Sequence, residues 1–280
     1  MLRDLKRTLI DLKANRPVGL AAQRYPRAFV FVHVPKCGGS SVEAALRRAR
    51  PLGRRLIGPD ETYRAAAALL GADPDDQASQ HAVLIRASEL RRDLLHLHLA
   101  EGARLVTGHA PLGARTLDAF PHADFVTVMR SPRARYRSHL AFNARPRAGH
   151  GHSTMTAARF LDTPRARVMG ALYVKYLAGL PMDADLTTQA AIDAARRTVD
   201  RLALVGFTDE MDAFAADASR VLGARVRIGH ENRGEAAPLP EALADRIHAL
   251  CAPDDQVYAH ARARFAERRH AVRPGAAREG

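Results

Sequence analysis

The sequence has no tryptophan, two cysteines, four lysines and 5% aromatic residues among its 280 positions. Two cysteines, Cys37 and Cys251, exclude a disulfide framework and a four-cysteine zinc site, and they fit a reducing compartment. No stretch approaches the roughly 18 consecutive apolar residues that a membrane span needs. The opening residues, Met1-Leu2-Arg3-Asp4-Leu5-Lys6-Arg7, are basic but lead into no long apolar run, so they do not read as a secretory signal. A cytoplasmic location is expected. The few aromatics, and the lack of any zinc-finger, RNP or basic-zipper pattern, argue against nucleic acid as the partner.

What is present is positive charge. Lys+Arg number 43 against 30 Asp+Glu, a formal net charge of +13, and 39 of the 43 are arginine. Two readings stand side by side: an overall compositional bias toward arginine, and selection for an anionic ligand. Position separates them better than the total. Residues 125–161 contain no Asp or Glu, yet hold Arg130, Arg133, Arg135, Arg137, Arg145, Arg147 and Arg159.

Hydrophobic residues make up 47% of the chain, enough for a sizeable core. Residues 2–16 read as an amphipathic helix, with Leu2, Leu5, Leu9 and Leu12 on one face and Pro17 ending it. It either packs on its own domain or contacts a membrane surface or a partner. Residues 28–34 form a nearly continuous apolar run, the pattern of a strand buried on both faces. A glycine loop, Pro35-Lys36-Cys37-Gly38-Gly39-Ser40-Ser41, and a helical segment at 42–48 follow at once. Residues 51–103 read as mostly helical. Strands are expected at 104–107, 125–129, 202–206 and 225–228. Helices are expected after Pro132, across 156–200, and at 209–222 with Thr208 as N-cap; two more close the chain. Strands alternating with helices predict an α/β, P-loop-like three-layer fold with a central parallel sheet flanked by helices. The expected division is 1–27 as the basic helix, 28–270 as one domain and 271–280 as a tail.

Strand, glycine loop and helix together form a phosphate-binding unit. A nucleoside-triphosphate loop would place lysine after the second glycine. Here Lys36 precedes Gly38 and Gly39, which disfavours a kinase. A cysteine phosphatase would need arginine six residues after Cys37, where Glu43 stands. Cys37 reads as loop packing rather than as a nucleophile.

The run His33-Val34-Pro35-Lys36-Cys37-Gly38-Gly39-Ser40-Ser41 resembles the 5′-phosphosulfate loop of sulfotransferases. The match is to the family of heparan and chondroitin uronyl 2-O-sulfotransferases and their bacterial relatives. A second motif, Arg130-Ser131-Pro132 with Arg135 and Ser138 on the next helix, is similar to the family's 3′-phosphate signature. The resemblance covers roughly residues 28–268. It implies 3′-phosphoadenosine 5′-phosphosulfate as donor, held by Pro35, Lys36, Cys37, Gly38, Gly39, Ser40 and Ser41 with Arg130, Ser138 and Arg233, and no metal. It implies that Lys36 stabilises the leaving oxygen and that His109, in Thr107-Gly108-His109, is the base. Glu43 is the reserve base, and His33 is expected to be structural. The acceptor is expected to be a hydroxyl of a carbohydrate or glycolipid, with Arg137, Arg145 and Arg147, helped by His150 and His152, favouring an anionic one. Unlike the Golgi members, this chain shows no anchor at its start, which points to a bacterial, cytoplasmic enzyme. The alternatives are a nucleotide- or polyanion-binding protein of the same fold without turnover, and an ATP-dependent small-molecule kinase.

Overall fold

A computed structural model describes residues 24, 26–73, 76, 78–143, 155–229 and 240–272, with side chains described as far as 266. Five short strands carry the architecture: β1 (Ala28–Val32), β2 (Arg54–Ile57), β3 (Leu105–Gly108), β4 (Ala123–Met129) and β5 (Leu204–Phe207). They form one sheet in the order β2-β3-β1-β4-β5, and every neighbouring pair is parallel. Parallel neighbours need crossovers, which helices supply. Helix α1 (Gly39–Ala49) joins β1 to β2. Helices α2 (Pro59–Leu70) and α3 (Gln80–Ala100) join β2 to β3, and α4 (Ala114–Ala119) leads to β4. Between β4 and β5 lie α5 (Pro132–Asn143), α6 (Ala157–Phe160), α7 (Pro164–Gly170), α8 (Leu172–Leu177) and α9 (Gln189–Arg201). Helices α10 (Met211–Leu222) and α11 (Glu241–Val272) follow β5.

The apolar run of β1 is explained by its two covered faces. Side chains alternate across a strand, and those of β1 enter two different cores. Phe29 and Phe31 pack with Val42 and Leu46 of α1 and with Phe214, Ala218 and Leu222 of α10. Ala28, Val30 and Val32 pack on the other side, in the larger core with residues of α3, α5, α8, α9 and α11. The result is a three-layer α/β arrangement. A third, smaller core of Tyr63, Ala66, Ala67, Val83 and Ala87 holds α2 to α3.

Strand order reverses at β1, which lies between β3 and β4. In open parallel sheets the crevice at such a reversal, beyond the carboxyl ends of the strands, is where ligands bind. The register sets those ends level: Val32 is opposite Gly108 on one side and Thr127 on the other.

Four local expectations are corrected. Strand β2 appears within the stretch read as helical; it is an edge strand whose Arg54 and Leu56 face solvent, so it lacks an apolar run. Residues 225–229 form no strand; the Val226 amide instead donates to Ser219 Oγ at 2.9 Å. Thr208 does not cap α10: its amide donates to the Met129 carbonyl at 2.9 Å, and Glu210 holds the cap position. The two closing helices are one helix with Pro253 inside it. Residues 2–16, the arginines at 145, 147 and 233, the histidines at 150 and 152 and residues 273–280 lie outside the described residues. Among those described, no helix is long and apolar enough to cross a membrane.

Candidate active site at the carboxyl ends of the strands

After β1 the chain turns sharply through Pro35 to Gly38 before α1 begins. Lys36 has φ 66°, the only positive φ at a non-glycine among the described residues. A left-handed lysine costs about 1–2 kcal/mol and persists only where its surroundings impose it, as at functional sites. Gly38, with φ 70° and ψ 13°, occupies the cap position of α1 and leaves the first turn without a side-chain cap or an acidic residue. The amides there face the crevice at the positive end of the helix dipole. Gly39 is required for a different reason. A Cβ at that position would stand 2.1 Å from His33 Cδ2 and 2.3 Å from Nε2. Its absence lets the imidazole pack against the start of α1. Lys36 Nζ lies 3.2 Å from the centre of the Phe142 ring, a cation–π contact reaching across from α5.

His33, Glu43 and His109 form the second part of the site. His33 Nδ1 and Glu43 Oε2 are 3.2 Å apart. Burial pushes the Glu43 carboxyl up, but the His33 bond and the charges of His33 and Arg47 outweigh it and hold the group below its ordinary value. The His33 and His109 rings are 4.2 Å apart, tilted by 34°. His109 Nδ1 meets the His33 carbonyl at 2.5 Å. The carbonyl only accepts, so Nδ1 carries the hydrogen and Nε2 is the basic nitrogen of the neutral ring.

The third part is a hub around Tyr173 of α8. The Arg130 amide donates to the Tyr173 phenol oxygen at 2.8 Å, and the phenol donates in turn to the Arg130 carbonyl. Cys37 Sγ lies 3.4 Å from the same oxygen. One phenol therefore ties the loop after β1 to the residue that follows β4. Tyr173 is held from behind by Asp254, whose carboxylate accepts from the Tyr173 amide at 2.9 Å and the Val174 amide at 3.1 Å. Arg135 Nη2 donates to the same carboxylate at 2.9 Å, both side chains being fully buried. Burial raises the Asp254 pKa to about 6, against the pull of Arg135 and the two amides.

Residues 35–41 follow β1, His109 follows β3 and Arg130 follows β4, at the carboxyl ends of three neighbouring strands, while Arg137 and Ser138 lie further on in α5. Pro35, Lys36 and Ser41 are half-buried, Ser40 is exposed, and Arg130 and Ser138 are half-buried. The Cys37 thiol is enclosed beside the Tyr173 phenol, and burial pushes its pKa up. Arg137 is exposed. Arg135, grouped with Ser138 on sequence spacing, turns inward to Asp254 instead. Tyr173 and Asp254 escaped the sequence reading. Their signal is an aromatic and an acid in helical stretches 81 residues apart, which only the fold joins.

No protein-family model matches the chain, and no curated protein matches it. Among solved structures it is similar to the crystal structure of a sulfotransferase from Alicyclobacillus acidocaldarius. The identity is 16%, covering 84% of this chain and 96% of that one, with a TM-score of 0.45.

Proposed function

We propose that this protein is a sulfotransferase that moves a sulfuryl group from 3′-phosphoadenosine 5′-phosphosulfate to a hydroxyl of a carbohydrate-type acceptor. The observation that carries the reading is the Tyr173 bridge, which joins the loop after β1 to Arg130 after β4 as one unit. On this reading the amides of Gly38 to Ser41 and the hydroxyls of Ser40 and Ser41 hold the 5′-phosphate. Arg130, with a bidentate fork, and Ser138 hold the 3′-phosphate. Arg233 is proposed for that same phosphate, and Arg137, Arg145 and Arg147 for the approach of the acceptor.

His109 Nε2 takes the proton from the acceptor hydroxyl. The acceptor oxygen forms a bond to sulfur as the bond from sulfur to the bridging phosphate oxygen breaks. The leaving group is 3′-phosphoadenosine 5′-phosphate. Lys36 turns its four-carbon stem from Phe142 toward the bridging oxygen, where negative charge develops. A sulfuryl group carries less negative charge than a phosphoryl group, so a lysine and backbone dipoles suffice to stabilise it. The test is transfer itself: protein, donor and a panel of sugar and glycolipid alcohols, read by mass for one added sulfuryl group. Sulfation that disappears in Lys36→Ala supports the reading; donor hydrolysis without any sulfated alcohol contradicts it.

A further inference from the structure

The Tyr173 hydroxyl uses its whole hydrogen-bonding capacity on residues that follow two neighbouring strands. A phenol has one hydrogen to give and two lone pairs to offer. The hydrogen goes to the Arg130 carbonyl, and the oxygen accepts from the Arg130 amide at 2.8 Å. With the phenol hydrogen so placed, Cys37 Sγ at 3.4 Å is the second donor. That is the shorter of two contacts open to the thiol hydrogen, the other being the Pro35 carbonyl at 3.7 Å. Burial keeps the thiol protonated for this role. Cys37 follows β1 and Arg130 follows β4, so one oxygen atom spans the two segments.

Neither end of this bridge can shift alone. Tyr173 is fully buried, and its amide is held by Asp254 at 2.9 Å. Its ring stacks on that of Tyr258 at 6.4 Å with 15° between the planes, and Arg135 Cζ lies 5.1 Å from its centre. The chain at Arg130 is tied from two further sides. The Met129 carbonyl accepts from the Thr208 amide, after β5, at 2.9 Å. The Thr127 hydroxyl, in β4, donates to the Val32 carbonyl of β1 at 2.8 Å. The backbone from which the Arg130 side chain springs therefore keeps a set distance from the loop after β1. Two phosphates on one nucleoside can meet both only if their separation matches that distance.

We propose that Tyr173 is a specificity-determining positioning residue: its hydroxyl fixes the separation between the loop after β1 and Arg130, and so selects a nucleoside bisphosphate whose second phosphate is on the 3′ rather than the 2′ carbon. Taking adenosine as the nucleoside rests on the sulfotransferase reading. The 3′ and 2′ isomers carry the same atoms and the same charge and differ only in where the second phosphate stands. A basic cleft of the kind an arginine-rich composition produces would hold both alike. A rigid frame separates them, because the isomer with the misplaced phosphate gives up either its loop contacts or the bidentate contact with Arg130. Tyr173 touches no ligand; it acts through the main chain of Arg130 and through Cys37.

The test is calorimetric titration of the whole chain with 3′-phosphoadenosine 5′-phosphate and with 2′-phosphoadenosine 5′-phosphate, on the parent, Tyr173→Phe, Cys37→Ala and the double variant. The parent should bind the 3′ isomer at least about tenfold more tightly, as the loss of one charge-assisted contact implies. Tyr173→Phe keeps the ring and its packing and should bring the two affinities to within about threefold of each other. A merely structural role would weaken both isomers alike and leave their ratio in place. Cys37→Ala removes only the thiol and should lower the ratio in part; added to Tyr173→Phe it should lower it no further. A parent that binds both isomers equally, or a preference that survives in Tyr173→Phe, overturns the proposal and leaves the sulfotransferase reading standing. If Tyr173→Phe does not fold, an unchanged ratio in Cys37→Ala overturns the proposal. A parent that binds neither isomer overturns the sulfotransferase reading, and the proposal with it.

Discussion

His109 Nδ1 stands 2.5 Å from the backbone carbonyl of His33, so the tautomer of one histidine is set by the main chain that carries the other. The same His33 presents its ring to Glu43 and packs into the space left by Gly39. The strand that leads into the loop therefore also orients His109, and the segments that follow β1 and β3 are coupled through one residue. The structural place that the sequence predicts for His33 is that of a joint between the loop and His109.

His109→Ala is expected to lower turnover by about 10²–10⁴-fold, the usual contribution of a general base. Nucleotide affinity should stay near that of the parent, because the role proposed for His109 is on the acceptor alone. Glu43→Gln should retain most of the turnover at neutral pH, since that carboxylate is engaged by His33 and Arg47. Steady-state rates alongside nucleotide titrations decide both. Near-parental turnover in His109→Ala would move the base to another residue.

Two adjacent glycines should respond differently to the same methyl group. At Gly39 the added Cβ would overlap the His33 ring, so Gly39→Ala should displace His33 and weaken nucleotide binding at least about tenfold. At Gly38 the nearest atom, Thr208 Cγ2, is 3.8 Å away. There the cost is the left-handed backbone alone, about 1–2 kcal/mol of stability. Urea melts and nucleotide titrations on both variants separate clash from strain.

Asp254 is enclosed with Arg135, and removing one partner leaves the other as an uncompensated charge. Asp254→Ala should cost about 3–5 kcal/mol in urea denaturation. It should also loosen Tyr173, and through Tyr173 the backbone of Arg130. A loss below about 1 kcal/mol would show that the pair does not anchor α8.

Lys175 should impose its own pH dependence on stability. Burial first, then the charges of Arg91 and Arg165, hold its folded-state pKa at about 8, below the ordinary 10.5, so between these values the unfolded chain binds more protons. Stability contributed by this group therefore rises with pH from about 8 to 10.5. Lys175→Met should flatten that rise and increase the melting temperature at pH 7. Thermal melts from pH 7 to 10 on both proteins test it.

The loop after β1, its flanking strand and helix, and the strand leading to Arg130 were legible because each is a local pattern. An apolar run encodes a strand buried on both faces, and paired glycines encode a tight approach. Strand β2 was illegible because an edge strand such as Arg54-Arg55-Leu56-Ile57 has no inward face on both sides to demand apolar residues. The Tyr173 hub was illegible for another reason. Its partners, Cys37, Arg130 and Asp254, are distant in sequence and meet only through the packing of α5, α8 and α11. The inward turn of Arg135 could not be read from helical spacing, because the acid that draws it in comes from 119 residues away.

The central claim, a donor site built for a 3′,5′-bisphosphorylated adenosine, is tested most directly by calorimetric titration of 3′-phosphoadenosine 5′-phosphate and of AMP in EDTA, on the parent and on Arg130→Ala. The account predicts that the bisphosphate binds at least about tenfold more tightly than AMP and needs no divalent ion. It predicts that Arg130→Ala loses about 2 kcal/mol or more of that binding, as for a charge-assisted bidentate contact. Equal affinity for AMP, or an affinity that Arg130→Ala leaves unchanged, would contradict it.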